Sequence, residues 1–113
     1  MIADPAQHGR DLVWQAQHEL WKAAPDFKRV LELGMEALKD FTQPRDRANA
    51  CLVVAKGHEG LRQWEFAYNY WSWCSSLYPE SWNDELRARM EDCRRRRDEV
   101  ERARRGSAGG YRP

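Results

Sequence analysis

Residues 64–79 read WEFAYNYWSWCSSLYP and hold seven aromatic side chains in sixteen positions, whereas the other 97 residues of the chain hold six. On a helix these rings fall on two lines, Trp64–Tyr68–Trp71 and Phe66–Tyr70–Trp73. The apolar surface therefore covers more of the circumference than one core-facing stripe requires. Two interpretations remain open. The segment is a central helix packed on both sides, or part of it faces a partner or a second copy of the chain.

The rest of the chain also has helical periodicity, which predicts an all-α fold of five helices. Short runs such as VLEL and CLVV lie inside longer helical periods, so no strand is expected. Pro25, Pro44 and Pro79 separate the helices. Asp26 is the expected cap of the second helix, and Ser81 with Asp84 is the expected capping box of the fifth. The predicted helices span residues 10–23, 26–41, 45–58, 61–77 and 82–105.

The length of the chain, 113 residues, favours one domain. We expect an N-terminal extension at residues 1–9, a single helical domain at residues 10–105 and a flexible, glycine-rich tail at residues 106–113. The helical domain is predicted as antiparallel helical hairpins that stack on one another, because one hairpin cannot bury its apolar face alone.

The spacing of small and large residues repeats along the chain. Ala67, Trp71, Cys74 and Pro79 follow one another at intervals of four, three and five, with Ala55 on the preceding helix. In this pattern residues 48–81 resemble a tetratricopeptide repeat, a helix–turn–helix unit of about 34 residues. An upstream copy of the spacing lies 37 residues earlier. The chain thus resembles two degenerate tetratricopeptide-like units, about 11–44 and 48–81, followed by a capping helix at 82–105.

Four positions depart from the tetratricopeptide pattern. His18 stands where a small residue is expected, Gly34 where a large aromatic is expected, and Cys51 and His58 where rings are expected. A five-helix bundle of another kind therefore remains the alternative fold.

The resemblance implies a non-enzymatic protein–protein interaction module, acting as an adaptor, a chaperone-like protein or a regulator. In that family the first helix of each unit lines a groove that holds a peptide or a partner protein. The corresponding side chains here are Gln17, Trp21, Asn49, Leu52, Val53 and Lys56. The aromatic surface formed by Phe66, Tyr70 and Trp73 is an equally good contact site for a partner or for a homodimer.

The fifth predicted helix supports an alternative function. Residues 1–83 carry nine basic and eleven acidic side chains, whereas residues 84–113 carry ten arginines and seven acids. Arg94, Arg95, Arg96 and Arg97 circle this helix and would form a docking site for nucleic acid or an acidic partner. Acidic residues four positions before many of the arginines favour the simpler interpretation, a solvated helix stabilised by ion pairs.

Several functions are not expected. The net charge of +1 gives no overall attraction to nucleic acid or to acidic membranes. Three widely spaced cysteines predict buried, reduced thiols and a cytoplasmic protein without a membrane span or a secretion signal. No zinc-ligand spacing, nucleophile pair or phosphate loop is present in the sequence, so we expect neither an enzyme nor a metal or cofactor.

Overall fold

The computed structural model describes residues 4–109. It contains five α-helices, and no strand occurs between residues 4 and 109. The helices are α1 (Pro5–Leu20), α2 (Phe27–Asp40), α3 (Pro44–Gly60), α4 (Trp64–Leu77) and α5 (Asp84–Gly109), with a short 3₁₀ turn at Pro79–Ser81 before α5. The predicted all-α fold of five packed helices is confirmed.

The starts of α1 and α2 are set by residues next to them in the sequence. Asp4 caps α1 by accepting a hydrogen bond from the backbone N–H of Ala6, and Pro5 occupies the first turn, where its missing N–H costs nothing. For this reason α1 begins five residues before its predicted start, inside the expected N-terminal extension, of which residues 1–3 lie outside the described part of the chain. Asp26 caps α2 through the N–H of Arg29, as predicted.

The cap of α5 differs from the prediction. The side-chain oxygen of Asn83 accepts from the N–H of Leu86 at 2.9 Å, so Asn83 takes the role expected of Ser81. At the other end, α5 continues to Gly109, past the predicted end at residue 105. The expected flexible tail is therefore helical over its first four residues, and residues 110–113 lie outside the described part of the chain.

The centre of the molecule is α3. This helix packs between α2 and α4 and also contacts α1. Its buried residues lie on nearly every side of the helix and are mostly small or β-branched. They are Ala48, Ala50, Cys51, Val53, Val54, Ala55, Gly57 and His58. By contrast, α4 buries only Ala67, Trp71 and Cys74, and it lies between α3 and α5. Small residues let neighbouring helices approach α3 closely, which the large rings of α4 do not allow.

Gly34 shows how close the contact between α2 and α3 is. A Cβ atom added to this glycine would lie 2.6 Å from Cγ2 of Val54 and 3.0 Å from Cγ2 of Val53. A glycine at the position where the repeat pattern expects a large aromatic residue is therefore explained by the approach of α3.

Consecutive helices joined by short connections pack against each other from α1 to α5. This order agrees with stacked helical hairpins and equally with a five-helix bundle of another kind, so the tetratricopeptide-like repeat stays a prediction. No helix within residues 4–109 has the length and apolar character to cross a bilayer.

Candidate functional site

Side chains of α1, α3 and α5, with the first residues of α2 and α4, line one open cleft of about 600 Å³, which we call the α1/α3/α5 cleft. Apolar side chains at its walls include Trp21, Phe27 and Trp64. The full lining is Gln17, Leu20, Trp21, Pro25, Phe27, Lys56, Glu59, Gly60, Trp64, Arg89, Asp92 and Arg96. Three residues predicted to line a groove, Gln17, Trp21 and Lys56, thus lie together.

Glu59 organises the floor of this cleft. One of its carboxylate oxygens accepts a hydrogen bond from the indole N–H of the fully buried Trp71 at 2.8 Å, and another from Nε of Arg89 at 3.3 Å. The guanidinium of Arg89 also lies over the Trp71 ring, 5.5 Å from its centroid. These contacts join α3, α4 and α5. Sequence reasoning missed the contribution of α5, because a pairing across thirty residues leaves no local pattern.

The three cations of the cleft differ in their partners. Arg89 is paired with Glu59, and Nε of Arg96 donates to Asp92 at 2.9 Å. No carboxylate of the described residues lies within ion-pair distance of the Lys56 ammonium group. Burial lowers the pKa of Lys56, and the nearby charge of Arg89 adds to this effect, whereas the carboxylates of Glu59 and Glu85 act in the opposite direction and offset it only in part. A bound anion would favour the charged form of Lys56 and so counteract the effects of burial and of Arg89. Lys56 is therefore the group that the cleft offers to a carboxylate.

Asn49 lies in a second, smaller hollow of about 260 Å³ on the same side of α1 and α3. Gln17 lines both hollows, so the two adjoin along α1. Val53 was predicted to line the groove, and this is wrong. Val53 is fully buried in the core with Val13 and Ala16 of α1, because α1 approaches α3 at this turn. Leu52 is half-buried and also packs on core residues.

The predicted contact residues Phe66, Tyr70 and Trp73 meet two side chains of α3 in an arrangement that we call the aromatic ladder. The ring of His58 is stacked between Phe66 and Tyr70, at centroid distances of 5.3 and 5.5 Å. Tyr70 lies 6.1 Å from Trp73, and the guanidinium of Arg47 lies 5.3 Å from the Trp73 ring centroid. Phe66 is 55% exposed and Trp73 38% exposed.

The aromatic ladder therefore agrees in part with each interpretation of the aromatic segment. Trp71 is sealed in the core between α3 and α5, whereas one edge of α4 presents rings to solvent. His58 was missed as a ladder member. Its position on the buried face of α3 was visible in the sequence, but its two ring neighbours depend on the packing of α4.

Arg94, Arg95, Arg96 and Arg97 do not form one docking surface. Arg96 lies over the Trp64 ring and Arg97 over the Tyr68 ring, each 4.7 Å from the centroid. Arg94 and Arg95 are exposed and are paired with acidic residues of α5, namely Glu91 for Arg94, and Asp92 and Glu99 for Arg95. Half of this run thus covers the aromatic face of α4 by cation–π contact.

The three cysteines are buried and unpaired. Burial raises the pKa of Cys51 to about 12, of Cys74 to about 11 and of Cys93 to about 12. Such thiols carry little thiolate near neutral pH and are poor nucleophiles. Within residues 4–109 no three His, Cys, Asp or Glu side chains come together as a metal site.

Comparison of the chain with protein-family models, with curated proteins and with solved structures finds no match. The geometry of the cleft and of the aromatic ladder is therefore the basis for assigning a function.

Proposed function

We propose that the protein is a non-enzymatic interaction module whose α1/α3/α5 cleft binds a peptide segment of a protein partner. The single observation that carries this proposal is the combination of apolar walls with one half-buried, unpaired cation. Trp21 offers an exposed ring to an apolar side chain, Trp64 adds the part of its ring that Arg96 leaves uncovered, and Lys56 offers its ammonium group to a carboxylate. The partner segment then carries an acidic residue next to an apolar or aromatic one.

The other charges of the cleft support an acidic ligand without making the site generally basic. Arg89 and Arg96 are already neutralised by Glu59 and Asp92. A highly charged polyanion gains little binding energy in the cleft, because only one cation there is unpaired. A single carboxylate gains an ion pair in a partly desolvated environment. The tetratricopeptide-like resemblance points to the same use, since first helices line the binding surface in that family.

The nucleic-acid alternative has less support. Two of its four arginines cover rings of α4, and the other two have carboxylate partners on α5. Phosphate binding at this helix would need those contacts to break, and the interleaved acids would repel the phosphates.

Selection from a random peptide library displayed on phage tests the proposal. The wild-type protein should enrich peptides with an acidic residue beside an apolar one. The Lys56→Glu variant should lose these peptides and enrich basic ones, because the sign of the cleft charge is reversed. Lys39→Glu is the matched control. Lys39 is exposed on α2 away from the cleft, and this substitution changes the net charge by the same amount as Lys56→Glu.

Identical peptide selections for wild type and Lys56→Glu would refute binding in this cleft. Loss of all selected peptides in the Phe66→Ser variant, with Lys56→Glu unaffected, would instead assign binding to the aromatic ladder. Circular dichroism of each variant shows whether its fold is retained.

A further inference from the structure

A second aromatic row runs along α1 to its C-cap residue Trp21, which is also a wall of the α1/α3/α5 cleft, and its two indoles are largely exposed. The rings of Trp14, His18 and Trp21 follow one another at centroid distances of 3.7 and 4.9 Å. Trp14 is 59% exposed and Trp21 is 73% exposed. We call this row the α1 tryptophan stripe. The two indoles are seven residues apart, on one side of the helix, and contiguous exposed apolar surface of this kind marks interaction sites.

The protein itself shows how such a row is covered. On α4, Trp64, Tyr68 and Trp71 have the same spacing, four and then three residues, as Trp14, His18 and Trp21. An arginine of α5 lies over each of these three rings. Arg96 lies over Trp64, Arg97 over Tyr68 and Arg89 over Trp71. Two arginines seven residues apart thus meet two tryptophans seven residues apart, in antiparallel order.

A second pair of arginines with this spacing points outward from α5. Arg95 and Arg102 are seven residues apart on the face opposite α4, and both are exposed. Arg95 is paired with Asp92 and Glu99 of its own helix, and Arg96 shows that such a pairing is compatible with a ring contact, since it pairs with Asp92 and also lies over Trp64. Arg102 has no carboxylate within ion-pair distance among the described residues. The second half of α5 is also accessible, because α5 has 26 residues against 14 in α4 and residues 101–106 are exposed.

We propose that the outer Arg95–Arg102 row of one copy of this chain binds the α1 tryptophan stripe of a second copy, in a head-to-tail contact. Arg102 then lies over Trp14 and Arg95 over Trp21, which repeats the antiparallel order seen between α5 and α4. Charge complementarity supports a second copy as the occupant. Asp11, one turn before Trp14, has no cation within ion-pair distance among the described residues, and it would lie beside Arg102.

The two parts of the chain also carry net charges of opposite sign. Residues 1–83 carry a net charge of −2, and residues 84–113 carry +3, counted from nine basic against eleven acidic and ten basic against seven acidic side chains. Because the two contact surfaces are different, the contact is heterologous. Copies add to one another in a row unless a ring closes.

Analytical ultracentrifugation over a range of protein concentrations tests the proposal. The wild-type protein should self-associate, and its mean mass should rise past that of a dimer. The stripe variant, Trp14→Ser with Trp21→Ser, and the row variant, Arg95→Gln with Arg102→Gln, should each raise the dissociation constant by about thirtyfold. Both variants should fold, since the replaced side chains lie on the surface.

The decisive sample is an equimolar mixture of the two variants. The stripe variant keeps the arginine row and the row variant keeps the tryptophans, so the mixture should form a 1:1 complex that stops at two copies. The matched control is Arg87→Gln with Arg94→Gln, which removes the same charge at the same spacing from another side of α5 and should associate like wild type.

Three results would overturn the proposal. A wild-type protein that stays monomeric at every concentration has no such contact. Failure of the mixed variants to form a complex excludes the head-to-tail geometry. Self-association that is lost in Phe66→Ser but kept in the stripe variant assigns the contact to the aromatic ladder instead.

Discussion

The indole N–H of Trp71 donates a hydrogen bond of 2.8 Å to the carboxylate of Glu59, and this contact joins the largest fully buried side chain of α4 to the central helix. The same carboxylate binds Arg89 of α5. Three helices therefore meet at one acidic side chain, which is partly buried beside the cleft. The stability of the fold and the shape of the cleft depend on the same group.

Replacing Glu59 should destabilise the protein. Glu59→Ala leaves the buried Trp71 N–H without an acceptor and Arg89 without its partner, so we expect a loss of about 1–3 kcal/mol in the free energy of unfolding. Glu59→Gln keeps an acceptor and should cost less. Urea denaturation measures both values. Glu36→Gln on the exposed face of α2 is the control and should change stability by less than about 0.5 kcal/mol. Equal stability of Glu59→Ala and wild type would show that this contact carries no net energy.

Gly34→Ala should also destabilise the protein, by about 1–3 kcal/mol, because the new methyl group overlaps the buried Val54 side chain. In a Val54→Ala background the same substitution should cost less, since the closest contact is then removed and only the one with Cγ2 of Val53 at 3.0 Å stays tight. Gly106→Ala is the control, as a Cβ there meets nothing within 4 Å. A double-mutant cycle measured by denaturation gives the coupling between the two sites. Purely additive effects would contradict the close approach of α2 and α3.

The buried thiols predict a loss of stability at alkaline pH. The pKa of Cys51 is raised to about 12 in the folded protein, against about 8.5 in an unfolded chain. Above pH 8.5 the unfolded chain therefore releases a proton that the folded protein keeps, and unfolding becomes more favourable by about 1.4 kcal/mol per pH unit for each such thiol. The contribution is fully present below pH 8.5 and is lost progressively toward pH 12.

Comparison of Cys51→Ala with wild type isolates this effect. The lowered pKa of Lys56 acts in the opposite direction, because the folded protein releases that proton first, but it acts equally in both proteins. Between pH 9 and 10, stability should fall less steeply with pH in Cys51→Ala, as followed by thermal denaturation. The same slope in both proteins would mean that Cys51 titrates normally in the folded state.

The arginine run separates into a structural pair and a solvated pair. Arg96→Gln with Arg97→Gln removes the cation–π contacts to Trp64 and Tyr68 and should lower stability by about 1–2 kcal/mol. Arg94→Gln with Arg95→Gln removes the same charge and should stay within about 0.5 kcal/mol of wild type. Thermal unfolding of the two variants provides the comparison.

These two variants also test the nucleic-acid alternative. Fluorescence anisotropy with a duplex oligonucleotide at low salt should show no binding that depends on Arg94 and Arg95. Tight binding that falls steeply as salt rises, and that disappears in Arg94→Gln with Arg95→Gln, would favour phosphate recognition by α5 over the cleft.

Much of the architecture could be predicted from local sequence patterns. The helical periods, the cap at Asp26 and the breaks near Pro25, Pro44 and Pro79 depend on interactions within a few residues, and such interactions are readable along the chain. The burial of the cysteines follows in the same way from their place on apolar faces. The predicted cap of α5, Ser81, lies two residues before the observed cap, Asn83. Both residue types are good caps, and Ser81 is instead the last residue of the 3₁₀ turn.

The sequence by itself determined that the chain is helical and that its aromatic segment has rings on more than one side. Only the tertiary structure decided which rings are covered and by what. Trp71 packs in a core cluster with Ala55 of α3 and Cys93 of α5, and its ring meets Glu59 and Arg89, twelve residues before it and eighteen after it. The residues that line the cleft come from all five helices in the same way. Side-chain contacts between distant segments depend on how the helices cross, and no local spacing specifies that geometry.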